Sequence, residues 1–246
     1  MLTNPLAKDR RLLAIRKGRV LIAQTWESQL NLSLFLGLLV FIVFLLPVIG
    51  LERPYGRLLR DLIFSVVLIS GVAIAWGQRR LFVLGSCIAS IALGVRWAAW
   101  WIRTDEFTLW REVATLVSVA LICWVLLSQI FRTGSVTSAR VQGGVAVYLL
   151  LGVAWAHCYQ IANRLTPGSF QSSVGRNFSV VEWFYYSFAT LTTLGYGDIV
   201  PIKPVSRSLA IGEALTGQLY LTVLIARLVA LEVMSWQPDS NDRPDE

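Results

Sequence analysis

Thr190-Leu191-Thr192-Thr193-Leu194-Gly195-Tyr196-Gly197-Asp198-Ile199-Val200-Pro201 is a short mixed stretch set late in a chain built mostly of long hydrophobic runs. It has two glycines and no helical period, so it does not read as a lipid-facing helix. Backbone of this kind lies at membrane depth only where protein encloses it or where it lines water. The surrounding sequence makes a bilayer the relevant solvent. The chain has 246 residues, 55% of them hydrophobic, and a mean hydropathy of +0.61, far more apolar than a soluble domain. Apolar segments fall near 31 to 50, 61 to 77, 81 to 102, 112 to 131, 142 to 163 and 206 to 233. Each has about 20 residues, the length that crosses ~30 Å of hydrocarbon at 1.5 Å per residue. The expectation is an all-α membrane protein of six transmembrane helices, with the quoted stretch dipping between the fifth and the sixth.

Thr193-Leu194-Gly195-Tyr196-Gly197, with Asp198 behind it, resembles the selectivity filter of the potassium channel superfamily, with Leu194 where valine is commoner. A dehydrated potassium ion needs its water shell replaced by stacked rings of oxygens, so successive carbonyls must point to one side. An ordinary L-residue strand does not allow this. Gly195 and Gly197 relieve the constraint because they adopt left-handed dihedrals at little steric cost. The Thr193 hydroxyl supplies the innermost ring, and Leu194 and Tyr196 are expected to face away and pack the filter against its supporting helix. The resemblance implies K+ held by the carbonyls of Thr193, Leu194, Gly195 and Tyr196. It also implies a homotetramer, since one strand gives a quarter of each ring. No cofactor is expected besides the permeant ion.

The lead-in fits this reading. Ser179 and Glu182 have the Ser-x-x-Glu spacing of a capping box, so a pore helix is expected over 180–192 and the filter over 193–198. Its C-terminal dipole end would face a cation below the filter. Trp183, Phe184, Tyr185 and Tyr186 are expected to form an aromatic cuff with Thr192 at its base, and a hydroxyl from Tyr185 or Tyr186 to hold Asp198. In the last helix, Gly217 lies at the spacing where simple bacterial potassium channels place a hinge glycine; a small residue for close packing is the compatible alternative. Gln218, Leu221 and Ile225 share a face that would line the cavity and gate. Glu213, an intramembrane carboxylate one turn above Gly217, needs a partner. A hydrogen bond to Thr190 or Thr192 is preferred to a cavity ion site.

The flanking regions are less specific. Residues 1–30 carry six Lys/Arg among Leu, Ile and Val, which suits a cytoplasmic amphipathic segment meeting anionic lipids or a plain topogenic tail. With the N-terminus inside, eleven Lys/Arg face the cytoplasm and nine face out, a small bias that the basic cluster before the first span decides. Both termini are therefore placed in the cytoplasm of a multi-pass cell-membrane protein, and residues 236–246 form a disordered tail. Residues 31–132 resemble the peripheral four-helix domain of voltage-gated channels. Steep voltage gating needs a ladder of arginines in helix 4, and between Arg111 and Arg132 there is no basic residue. The peripheral domain is expected to be uncharged, with 141–235 as the pore domain. Arg96 is expected to snorkel to the outer interface, the alternative being a pair with Glu112 or Glu106. Arg227 is expected to snorkel or meet a lipid phosphate. His157, the single histidine, reads as hydrogen-bonded more than as a proton sensor.

Other classes fit worse. The basic balance flanks the spans instead of forming an aromatic-laced patch, which argues against nucleic acid. Cys87, Cys123 and Cys158 lie singly within spans and suit small buried hydrophobes. No nucleophile-base pair, metal-ligand cluster or phosphate loop points to an enzyme. The rivals to a potassium-selective channel are a non-selective cation channel, disfavoured by the intact Gly-Tyr-Gly, and a non-conducting membrane sensor subunit.

Overall fold

The computed structural model describes residues 31–45, 54–74, 79–102, 104–131, 137–173, 175 and 178–235. The basic segment 1–30, the end of the first span at Pro47 and Gly50, and the tail 236–246 lie outside the described residues.

The apolar runs are helical: α1 (Asn31–Leu45), α2 (Pro54–Ile74), α3 (Arg79–Ala98), α4 (Asp105–Ile130), α5 (Ser138–Leu165), α6 (Val180–Leu191) and α7 (Pro204–Ser235). Three of them, over Phe107–Ile130, Ser138–Leu165 and Pro204–Val233, are long and apolar enough to cross a membrane. Capping residues set boundaries that hydropathy alone misses. α2 opens at Pro54, a residue suited to the first helical position. α4 starts seven residues before its apolar run, because the Thr104 side chain accepts the Phe107 N–H at 3.3 Å. α5 ends where the Thr166 N–H closes on the Ala162 carbonyl at 2.9 Å before Pro167.

α4 packs against both α3 and α5, while α6 and α7 pack on α5 and on each other. The main core joins Phe35 and Leu39 of α1, Phe64 and Leu68 of α2, Ile122 and Leu126 of α4, and Val147, Leu150 and Val153 of α5. A second core, near the filter, is aromatic and holds Tyr159, Phe170, Trp183 and Tyr186. The peripheral helices are not free of interior charge. Asp61 and Arg96 are 4% and 5% exposed and pair at 3.0 Å.

A feature the hydropathy pattern does not show is a two-stranded antiparallel ribbon, β1 (Phe170–Ser172) with β2 (Ile199–Pro201), in register Phe170↔Pro201. The linker before α6 thus clamps the segment leaving the filter. Further bonds extend the clamp: Ser173 N–H to Asp198 O and Ile202 N–H to Ser169 O, both 2.8 Å, and Ser206 Oγ–H to Ser169 O at 2.7 Å. The last helix therefore starts at Pro204 and does not run on directly from the filter.

Candidate functional site

α6 has twelve residues, about 18 Å of helix, too short to cross ~30 Å of hydrocarbon. Its N-terminus is fixed by Glu182, whose carboxylate accepts the Ser179 N–H at 2.6 Å. Its C-terminus passes into the filter through hydrogen bonds. Thr193 N–H donates to Thr190 O at 2.9 Å and Gly195 N–H to Ala189 O at 3.1 Å. The last carbonyls of the helix are thereby satisfied by filter amides, and the filter backbone hangs from the helix end.

Backbone dihedrals decide what the filter carbonyls do. Thr193, Gly195 and Gly197 have φ of 61°, 54° and 80°, and Thr193 is the one non-glycine with positive φ among the described residues. Left-handed residues alternate with Leu194 and Tyr196, which turns successive peptide planes and brings carbonyls that would otherwise alternate toward one side. The glycines marked two of these positions in the sequence. Thr193 was not marked for such a backbone, since a β-branched residue seldom adopts it and pays about 1–3 kcal/mol to do so. Its own amide bond to Thr190 and that of Gly195 to Ala189 hold it there.

The supporting residues divide by helical phase. Tyr185 stacks on Tyr196 with centroids 6.1 Å apart and planes at 8°. Asp198 accepts the Ile199 N–H at 3.1 Å. Trp183 and Tyr186 do not touch the filter. They point the other way, into the aromatic core, where Trp183 meets Phe170 at 5.0 Å and Tyr186 meets Tyr159 at 4.8 Å. The expected cuff is therefore one residue deep, because a 100° step per residue sends 183 and 186 to one face and 185 to another. Thr192 caps α6, its hydroxyl donating to Phe188 O at 2.6 Å. Leu194 and Tyr196 remain 60% and 67% exposed on the single chain, so their own supporting helix does not cover them as expected.

Glu213 is fully buried. Its partners are the hydroxyls of Ser187 and Tyr159 and not Thr190, whose hydroxyl is committed to Tyr186 O at 2.8 Å, or Thr192. Ser187 Oγ also lies 2.7 Å from Gly152 O. A hydroxyl has one proton to give, so both Ser187 contacts are complete when a protonated Glu213 donates in turn. One turn on, α7 passes unbroken through Gly217. A Cβ there would lie 2.2 Å from the Leu191 carbonyl oxygen, so this glycine seats α7 against the end of the pore helix. Gln218 and Ile225 are exposed and Leu221 half-buried, and only 11% of the α7 span is covered within the chain.

The region from α5 to α7 matches the family described as "Ion channel" over residues 144–233. The chain is 36% identical over 83 residues to the two pore potassium channel c of Oryza sativa subsp. japonica, covering 34% of this chain and 17% of that protein. It is 32% identical over 81 residues to the inward rectifier potassium channel Kirbac3.1 of Paramagnetospirillum magnetotacticum, covering 33% and 24%. This part of the chain belongs to the potassium channel superfamily. A third relative, the voltage-gated potassium channel of Aeropyrum pernix, is 32% identical over 68 residues, covering 27% of this chain and 23% of that protein. The chain thus spans about a fifth of the length of these relatives. No solved structure matches.

Charged side chains of the peripheral helices converge with His157 of α5 beside the pore helix. Arg96 is buried and does not snorkel; it pairs with Asp61, donates to Thr115 Oγ1 at 3.4 Å and lies 4.4 Å from the centre of the Phe64 ring. A guanidinium this far from water keeps its charge only with such partners, and Asp61, distant in sequence, supplies the main one. Glu112 accepts from Arg111 at 2.9 Å and lies 2.6 Å from His157 Nδ1. His157 also meets Phe184 of α6 edge-on, at 6.1 Å, so α4 reaches the pore helix through it. Arg227, near the other end of α7, contacts Phe131 O at 3.5 Å.

Proposed function

We propose that the chain is a subunit of a homotetrameric, potassium-selective channel of the cell membrane, with six transmembrane helices and cytoplasmic termini. The single observation that carries this reading is the alternation of left-handed backbone at Thr193, Gly195 and Gly197 within Thr-Leu-Gly-Tyr-Gly. It supports a column of carbonyls from Thr193, Leu194, Gly195 and Tyr196, closed by the Thr193 hydroxyl, that replaces the hydration shell of K+. Conduction is passive movement of ions between these sites. Membership of the pore region in the superfamily, and relatives named as potassium channels, support the choice of ion.

Assembly follows from geometry and from solvent. One filter strand supplies one quarter of a ring, and its outward residues, Leu194 and Tyr196, are left uncovered. The apolar surface of α7 is equally uncovered and would meet its copies around the axis. Gly217, Gln218, Leu221 and Ile225 then border the inner cavity and gate. With no arginine ladder in α4, and with Arg111 and Glu112 already paired, the channel opens without steep voltage dependence. Purified protein in liposomes tests the reading: potassium should leave much faster than sodium, with little change as voltage is stepped across zero. Equal sodium flux would remove the selectivity claim, and absence of flux under all potentials would favour a non-conducting role.

A further inference from the structure

A small chamber lies between the peripheral helices and the first turn of the pore helix. Its volume is about 30 Å³, room for about one or two waters or a single monatomic ion. Arg60 of α2, Arg96 of α3, Arg111 and Glu112 of α4 and His157 of α5 line it, and Val180 and Val181 bring the start of α6 to its wall.

Two buried nitrogens of this wall lack partners among the described residues. Arg96 and His157 are 5% and 6% exposed, yet Arg96 Nε and His157 Nε2 bond to nothing. Buried polar atoms are normally met by protein, water or a ligand. Arg96 Nε–H can only donate. Glu112, held by Arg111 at 2.9 Å, lies 2.6 Å from His157 Nδ1, so Nδ1 carries a proton. Nε2 is then a bare lone pair on the neutral ring and a second donor on the charged one. One occupant can therefore satisfy both nitrogens: a water if His157 is neutral, an anion if it is charged.

The surrounding charge favours the anion. Three arginines, Arg60, Arg96 and Arg111, stand against two carboxylates, Glu112 and Asp61. Asp61 is 3.0 Å from Arg96 and 3.7 Å from Arg60, and Glu182 of α6 is turned to the Ser179 amide. The first two amides of α6 have no acceptor within the helix and set its positive end on the same chamber. Phe64 and Phe184, also in the wall, keep the site apolar enough for these charges to be felt strongly.

We infer that the chamber binds a single chloride ion, taken up together with a proton on His157. Arg96 Nε–H and His157 Nε2–H donate to the ion, while Nδ1–H stays on Glu112. The proton offsets the added negative charge, so the net charge of the cluster is unchanged by binding. An ion seated there ties α3 and α5 to the first turn of the helix from whose other end the filter hangs.

The test is the thermal midpoint of the purified full chain in a neutral detergent. Potassium chloride replaces potassium gluconate at constant potassium concentration and ionic strength. Chloride should raise the midpoint saturably, as a ligand of the folded state does, and bromide should do the same, whereas sulfate, too large for the chamber, should not. The half-saturating chloride concentration should fall at least about tenfold between about pH 8 and about pH 5, where an imidazole gains its charge. Arg96→Lys keeps a cation opposite Asp61 but has no Nε–H, and should raise that concentration about tenfold, the loss of one charge-assisted contact. His157→Gln, which cannot gain charge, should remove the pH dependence, and it carries the test alone if Arg96→Lys fails to fold. Arg207→Gln, at the exposed surface, should change neither. In crystals grown with potassium bromide, one anomalous peak should lie between Arg96 and His157. Absence of a chloride shift, a shift that sulfate reproduces, one that ignores pH, or one that survives His157→Gln with its pH dependence intact overturns the inference. The readout is anion binding, so the outcome is separate from whether the protein selects potassium.

Discussion

The filter with its pore helix and the charged cluster of the peripheral helices satisfy their polar groups in opposite ways. Around the filter the constraint is local and falls on the backbone. Amides of Thr193 and Gly195 bind carbonyls only three and six residues back, and dihedral alternation within five residues sets where the oxygens point. In the peripheral helices the constraint is long-range and falls on side chains. Asp61 and Arg96 meet across α2 and α3, and Glu112 and His157 meet across α4 and α5. The first arrangement can be written as a motif, whereas the second exists only once the helices are packed.

Substitutions can break this contrast, and the largest effect is expected in the filter. Gly195→Ala should abolish potassium flux, because a side chain at φ 54° strains the backbone whatever the space around it; the proposed tetramer should persist on gel filtration. Next comes the peripheral pair. Arg96→Ala should cost about 3–5 kcal/mol by stranding a buried Asp61, read as a lowered thermal midpoint. An Asp61→Asn, Arg96→Gln double variant should regain much of that loss, with ion selectivity unchanged.

Gly217→Ala tests the contact between α7 and the pore-helix end. Its methyl must displace the Leu191 carbonyl at about 1–3 kcal/mol, typical of overpacking, so both stability and flux should fall. If instead Gly217→Ala keeps its stability and alters only opening, the glycine is a hinge. The last effect, of similar size, belongs to Glu213. Glu213→Ala should cost about 1–3 kcal/mol by leaving the Tyr159 hydroxyl unmet. Glu213→Gln, which keeps an acceptor for Tyr159 and a donor for Ser187, should lose less in the same thermal measurement.

What the sequence made readable follows the same division. The capping residues Ser179 and Glu182, the helical start at 180, and the left-handed glycines each announce themselves through residue type and spacing. Thr193 does not, since its left-handed backbone is imposed by hydrogen bonds to α6 against its own preference. The β1–β2 ribbon was hidden because Phe170-Gln171-Ser172 is too short to show a strand period. Arg96 shows the limit most clearly. Its place near the end of an apolar run suited snorkelling, and the partner that reverses this, Asp61, lies on another helix with no periodic relation to it. Tyr186 and Trp183 were assigned to the filter by proximity in sequence, while helical phase turns them toward Tyr159 and Phe170.

The central claim is that the alternating backbone from Thr193 to Gly197 selects potassium by its carbonyls. The direct measurement is the reversal potential of the reconstituted protein with potassium on one side of a bilayer and sodium on the other. A reversal potential displaced strongly toward the potassium equilibrium value, and absent current in Gly195→Ala, is the result expected. A reversal near zero in the unaltered protein would contradict the claim, because the column of oxygens would then be failing to tell the two ions apart.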